Sequence, residues 1–149
     1  MLAIRIELDA THGRRALGLA PDAPVEPLDL AVALSDVRAH LLDLLAAAYP
    51  DAKVTVALRF GAYGAARTRV RLTARAATWR RGDATRALIA ECAEALRDTA
   101  IARAAEDAAR RRGRAALDDA AAAADVRHFS PRPTAPRSTV GEERRAILR

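Results

Sequence analysis

The stretch RTRVRLTAR, residues 67–75, carries a basic residue at almost every second position. Its arginines are Arg67, Arg69, Arg71 and Arg75, and Val70, Leu72 and Ala74 lie between them. Because successive side chains of a strand point to opposite faces, the alternation predicts a strand with arginines on one face and aliphatic side chains on the other. A guanidinium stays charged and offers five N–H donors, so such a row is suited to binding phosphate or carboxylate groups.

A second stretch with the same alternation precedes it. In AKVTVALRF, residues 52–60, the inward positions are Val54, Val56, Leu58 and Phe60, and the outward ones include Lys53, Thr55 and Arg59. The connection GAYGAA, residues 61–66, predicts a hairpin, so we expect the two strands to pair. Paired strands lie about 4.8 Å apart, so the outward cations should form one compact patch. Its predicted binding residues are Lys53, Arg59, Arg67, Arg69, Arg71 and Arg75.

The net charge of the chain is +6, and the positive excess is concentrated around this patch. Residues 51–81 hold eight basic residues and one acidic residue, a net charge of +7, whereas residues 1–50 hold four and seven, a net charge of −3. Like charges facing each other across a sheet are destabilising, so their presence favours an anionic partner, either nucleic acid or an acidic protein surface. The alternative is a solvated face in an arginine-rich chain.

Two further segments supply the elements that must carry the patch. LAIRIELDA, residues 2–10, alternates as a half-buried strand, and residues 28–49 place Leu30, Leu34, Val37, Leu41, Leu44 and Ala48 on one helical stripe. Residues 11–28, with three prolines and two glycines, are expected to form a long loop. A second helix is predicted to begin with Asp83 as its cap and to bury Leu88, Ile89, Cys92 and Leu96.

The order β-α-β-β-α predicts an α+β two-layer sandwich, in which two helices cover one face of a three-stranded sheet and leave the cationic face open. We expect a small α+β domain over residues 1–101 and a projecting, alanine-rich charged helix over residues 102–125. Residues 126–149 are rich in proline, serine, threonine and arginine and are expected to be a disordered basic tail. If a partner binds this tail, its predicted anchors are Phe129, Ile147 and Leu148.

Catalytic and metal chemistry find little support in the residue pattern. Asp36, His40 and Asp43 share one helix face at a spacing that could hold a metal, but such residues are more often only solvated. The single cysteine excludes an internal disulfide, and aromatic residues are only 3% of the chain, too few for a base-stacking platform. We therefore predict a protein that is not an enzyme and uses no cofactor or metal. With no apolar run long enough to span a bilayer, a cytoplasmic location is expected.

Over about its first 100 residues the sequence combines a strand at 3–8, the segment AYPDAKVTVALR at 48–59, a hairpin, a strand at 69–74 and a helix at 84–100. In these features the chain resembles the DNA-damage-inducible protein I family. The resemblance implies the same fold and binding to the RecA recombinase filament. Members of the family use an acidic ridge on the second helix, where this chain has Glu91, Glu94 and Asp98 mixed with Arg86 and Arg97. Ribosome-hibernation factors are a second resemblance, although they have one more strand.

Two functions from different classes are therefore open. The first is a non-catalytic binding protein that docks nucleic acid or a nucleoprotein filament on the arginine face, and the concentration of charge favours it. The second is a structural or assembly subunit, for example of a phage particle or a multi-protein complex, in which the C-terminal helix and tail dock on neighbouring subunits. The richness in arginine and alanine suggests a bacterial or phage genome of high GC content.

Overall fold

A computed structural model of the chain describes residues 1–59, 66–72 and 79–128, with the backbone alone for residues 79–81 and 126–128. Its strands are β1 (Leu2–Leu8), β2 (Lys53–Leu58) and β3 (Thr68–Leu72), and its helices are α1 (Ala10–Ala16), α2 (Pro27–Ala48) and α3 (Trp79–His128). The predicted α+β class, a three-stranded sheet with helices, is confirmed.

The sheet has the order β2-β1-β3, with β1 in the centre. β1 pairs in parallel with β2, matching Arg5 with Thr55, and antiparallel with β3, matching Arg5 with Arg69. The predicted hairpin pairing of β2 with β3 is therefore wrong. Neighbours in sequence usually pair, but here both edges of β1 are occupied, and its inward side chains are the large aliphatic residues expected of a central strand.

One face of the sheet packs against the helices. Ile4, Ile6 and Leu8 of β1 are between 0 and 1% exposed, and Val56 of β2 is 5% exposed. α2 covers them with Ala33, Leu34, Val37, Leu41 and Leu45, which are all buried. The predicted stripe of α2 is thus largely confirmed, with Leu30 and Leu44 half-buried and Ala48 exposed.

α3 packs mainly through alanine, and of its predicted stripe Ile89 and Leu96 lie half-buried against the core. Its buried side chains are Ala93, Ala100, Ile101, Ala104 and Ala108. The expected stripe is wrong at Leu88, which is 60% exposed, and at Cys92, which is also exposed. α3 begins at Trp79, so Asp83 does not cap it but lies within its second turn and contacts Arg86. Alanine stripes allow close helix packing but give a weak hydrophobic signal in sequence.

α1 lies in the segment that was predicted to be a loop. Asp9 caps this helix by accepting hydrogen bonds from the amides of Thr11 and His12, and the amide of Asp9 donates one to Nδ1 of His12. Gly13 allows α1 to approach α2, because a Cβ at this position would lie 2.5 Å from Leu30 Cδ1 and 3.0 Å from Leu34 Cγ. The capping box and this glycine were the sequence signals for the helix.

The chain divides into two compact units, Met1–Gly113 and Arg114–Arg149. The first unit reaches beyond the expected boundary at residue 101, since Ala104 and Ala108 are buried. In the second unit, the described side chains of residues 114–125 are all exposed. None of the helices in the described ranges combines the length and the apolar character needed to cross a lipid bilayer.

Candidate functional site

Several lysine and arginine side chains lie on the face of the sheet opposite the helices. The register sets Lys53, Ala3 and Arg71 in one row across the three strands, and Thr55, Arg5 and Arg69 in the next. A third row has Ala57 beside Glu7, whose amide donates a hydrogen bond to the carbonyl of Arg67. We give the name basic face to the cations of these strands together with Arg59, which follows β2, and Arg67, which precedes β3. Its members are Arg5, Lys53, Arg59, Arg67, Arg69 and Arg71.

Most of the basic face is open to solvent. The side chains of Lys53, Arg67, Arg69 and Arg71 are exposed, as the alternation predicted. Within the described ranges, no ion pair involves any of these four residues. Their charges are therefore available to an external anion.

One end of the basic face is partly neutralised by Glu7. Its carboxylate lies 3.3 Å from Arg59 Nη1 and 3.9 Å from Arg5 Nη2. The side chain of Glu7 is 12% exposed, whereas that of Arg5 is 58% exposed. The face thus has an unneutralised end, with Lys53, Arg69 and Arg71, and an end where a carboxylate is shared between two guanidiniums.

The central position of β1 adds a residue that the sequence reasoning missed. Arg5 has the outward parity of β1, but a β2–β3 hairpin would have left it outside the patch. Because β1 separates the other two strands, Arg5 lies between Thr55 and Arg69. Lys53 and Arg71, in contrast, are two strand spacings apart, about 10 Å, so the patch is wider than predicted.

Several predicted residues lie outside the described part of the chain. Arg75, the fourth arginine of the opening stretch, is one of them, as are the predicted tail anchors Phe129, Ile147 and Leu148. The hairpin connection at 61–66 lies there too, except for Ala66. Their roles remain predictions.

The polar residues on α2 pair with α3. His40 Nε2 lies 2.8 Å from Asp107 Oδ2, and Arg111 Nη2 lies 2.5 Å from Asp36 Oδ2. The hydrogen bond with His40 is the largest influence that lowers the pKa of Asp107. Within the described ranges, no group of three potential ligands could hold a metal ion. Asp36 and His40 therefore join two helices, which neither sequence interpretation had anticipated.

The resolved pKa shifts of other groups also belong to packing contacts. Burial lowers the pKa of His12 and outweighs Asp9, whose charge favours the imidazolium. Burial alone would raise the pKa of Asp9, but the charge of His12 and the hydrogen bonds from two amides lower it. Burial and the neighbouring Cys92 raise the pKa of Tyr49. These shifts concern contacts away from the basic face.

The acidic residues implied by the family resemblance are exposed on α3. Glu91 and Glu94 face solvent, and Asp98 lies 3.2 Å from Arg15 Nη1 of α1. Only part of the expected acidic ridge is therefore available to a partner without breaking an ion pair.

No protein-family model, no curated protein and no solved structure matches this chain.

Proposed function

We propose that the protein is a non-catalytic nucleic-acid-binding protein that docks the phosphate backbone on its basic face. The observation that carries this proposal is the exposure of Arg67, just before β3, and of Arg69 and Arg71 on β3, together with Lys53 and Arg5 on the same open face of one sheet. A rigid sheet fixes the spacing of these charges, so little side-chain and backbone order has to be created on binding. We expect the protein to act in the cytoplasm.

The chemistry of the face favours backbone contacts over base readout. Between the cations lie Ala3, Thr55 and Ala57, and no aromatic side chain is among the described residues of the face. Stacking of unpaired bases needs such side chains, whereas contacts to phosphates do not. Affinity should therefore depend strongly on salt and little on sequence.

Direct binding measurements test the proposal. Fluorescence anisotropy with labelled mixed-sequence duplex DNA and RNA should give dissociation constants of about 10⁻⁴ to 10⁻⁶ M at physiological salt, and tighter binding at low salt. Two duplexes of different sequence should bind equally well. Binding to polyglutamate but not to either nucleic acid would overturn the proposal in favour of an acidic protein surface.

A recombinase filament is the form of the ligand that the family resemblance suggests. Exposed Glu91 and Glu94 on α3 support a protein contact beside the nucleic-acid contact. Glu91→Gln and Glu94→Gln should then weaken binding to the nucleoprotein filament and leave binding to bare DNA unchanged. Equal affinity of wild type and variant for the filament would remove this candidate.

The assembly function draws support from exposed apolar side chains on two helices. Leu28 of α2 is 75% exposed and Leu117 of α3 is 72% exposed. If assembly is the function, Leu117→Ser should reduce association measured by analytical ultracentrifugation and leave nucleic-acid affinity unchanged. A monomeric wild-type protein at all concentrations would contradict self-assembly.

A further inference from the structure

We infer that Arg5 and Arg69 together bind a single phosphate group at the centre of the basic face. This inference rests on the proposed function and makes it specific, because it divides the cations into one pair that shares a phosphate and others that contact phosphates singly. Arg5 thereby becomes a binding residue.

The pairing of β1 with β3 brings the two arginines close together. Arg5 and Arg69 are directly opposite each other on antiparallel neighbours, and both side chains are exposed on the same face. Residues paired in this way have Cβ atoms about 4.5 to 5.5 Å apart. Two guanidiniums that start from such close points can both reach the oxygens of one phosphate, each with several N–H donors.

No other described pair of cations has this relation. Lys53 and Arg71 share a row but are separated by Ala3, and Arg67 has Glu7 as its neighbour on β1. Along β3 the arginines are two residues apart, about 7 Å, which suits contacts with separate phosphates. The charge density is therefore highest between Arg5 and Arg69.

Repulsion between the two guanidiniums favours an anion between them. Two like charges directly opposite each other destabilise the free sheet, and an anion between them removes the repulsion. Glu7 relieves Arg5 only weakly, because its carboxylate is 3.9 Å from the guanidinium and the Arg5 side chain is 58% exposed. Arg69 has no ion pair within the described ranges. A phosphate is thus a better partner for the pair than any group of the described chain.

A double-mutant cycle with salt titrations tests the inference. Each neutralised phosphate contributes about −0.9 to the slope of log K against log salt on duplex DNA. If Arg5 and Arg69 share one phosphate, Arg5→Gln with Arg69→Gln should shallow the slope by about 0.9 in total, and the two losses of affinity should be less than additive. The matched pair Arg67→Gln with Arg71→Gln should shallow the slope by about 1.8 and be additive.

The outcomes separate this inference from the proposed function. If wild type shows no salt-dependent binding, the proposed function fails, and the inference fails with it. If wild type binds but Arg5→Gln with Arg69→Gln is additive and shallows the slope by about 1.8, only the shared phosphate is overturned.

If the glutamine substitutions at Arg5 and Arg69 disturb the fold, lysine substitutions at the same positions provide a second test. Arg5→Lys with Arg69→Lys preserves both charges but removes the forked donors, so the slope should persist while affinity falls by about tenfold. An unchanged affinity would also overturn the shared phosphate. Circular dichroism and thermal melting confirm folding of each variant.

Discussion

On the inner face of the sheet Ile4, Ile6 and Leu8 are sealed from water, whereas on the outer face Arg5, Arg69 and Arg71 are exposed with their charges directed to solvent. Both sets of side chains stand on the same strands and alternate residue by residue. The inner face is therefore expected to determine stability, and the outer face to determine binding. A protein that needed only to fold would gain nothing from Arg5 opposite Arg69.

The largest expected difference between the faces is in the free energy of unfolding. Ile6 is 0% exposed, so Ile6→Ala should destabilise the protein by about 2 to 5 kcal/mol through lost burial and a residual cavity. Urea denaturation followed by circular dichroism measures the change. The matched outer-face variant is Arg69→Ala, and an equal loss of stability in both variants would contradict the division between the faces.

The second prediction concerns acid and the packed side of the fold. The folded-state pKa of His12 is lowered by burial, so its contribution to stability is complete above about pH 6.5 and is lost as the pH falls through the folded pKa. Asp9, whose pKa is also lowered, contributes above about pH 3.8 and loses its effect below that value. Stability should therefore fall in the acid range.

His12→Gln isolates the first of these effects. Glutamine at this position preserves the capping box with Asp9 but does not titrate. Urea denaturation at several pH values should show a flatter stability curve for the variant just below pH 6.5, at a cost of about 1 kcal/mol at neutral pH. The same pH dependence in both proteins would show that His12 does not cause it.

The third prediction uses the carboxylate of the basic face. Glu7→Gln removes the group that attracts Arg5 and Arg59, so DNA affinity at low salt should rise by about threefold to tenfold. The control is Glu26→Gln at the N-terminus of α2, which changes the net charge equally but stands on a helix rather than on a strand of the sheet. Equal gains in both variants would reveal an effect of net charge alone, contrary to a local role for Glu7.

The smallest effect is expected for the stability of the free protein after loss of an outer charge. Arg69→Gln relieves repulsion with Arg5 and should change the free energy of unfolding by no more than about 0.5 kcal/mol, in the stabilising direction. Thermal melting at low salt measures it best, since salt screens the repulsion. A marked destabilisation would assign Arg69 a structural role.

The sequence predicted the faces well because alternation is a local property. Ile4 and Ile6 of β1 and Arg69 and Arg71 of β3 each lie on the expected side. Strand order depends on contacts between distant residues, so the predicted hairpin was wrong and Arg5 was left out of the site. Large aliphatic residues at every inward position of β1 were the available signal for its central place.

The helices show the same limit of local reasoning. α2 was predicted from its leucine stripe, but α3 packs through Ala93, Ala100 and Ala104, whose small side chains do not stand out in an alanine-rich sequence. The three prolines and two glycines of residues 11–28 indicated a loop, so the capping box of α1 was not recognised. His40 and Asp107, 67 residues apart in the chain, meet only because α2 and α3 pack together.

The most direct test of the account is a salt titration of DNA binding by wild type, by Arg69→Gln with Arg71→Gln, and by a control. The control, Arg38→Gln with Arg103→Gln, removes the same charge from exposed sites on α2 and α3, away from the sheet. If about four phosphates are neutralised, the slope for wild type and control should be about −3 to −4. The basic-face variant should be shallower by about one to two, because Arg71 loses its own phosphate while Arg5 can still hold the phosphate that it shares with Arg69. Identical slopes for the two double variants, or salt-insensitive binding by wild type, would contradict nucleic-acid binding on the basic face.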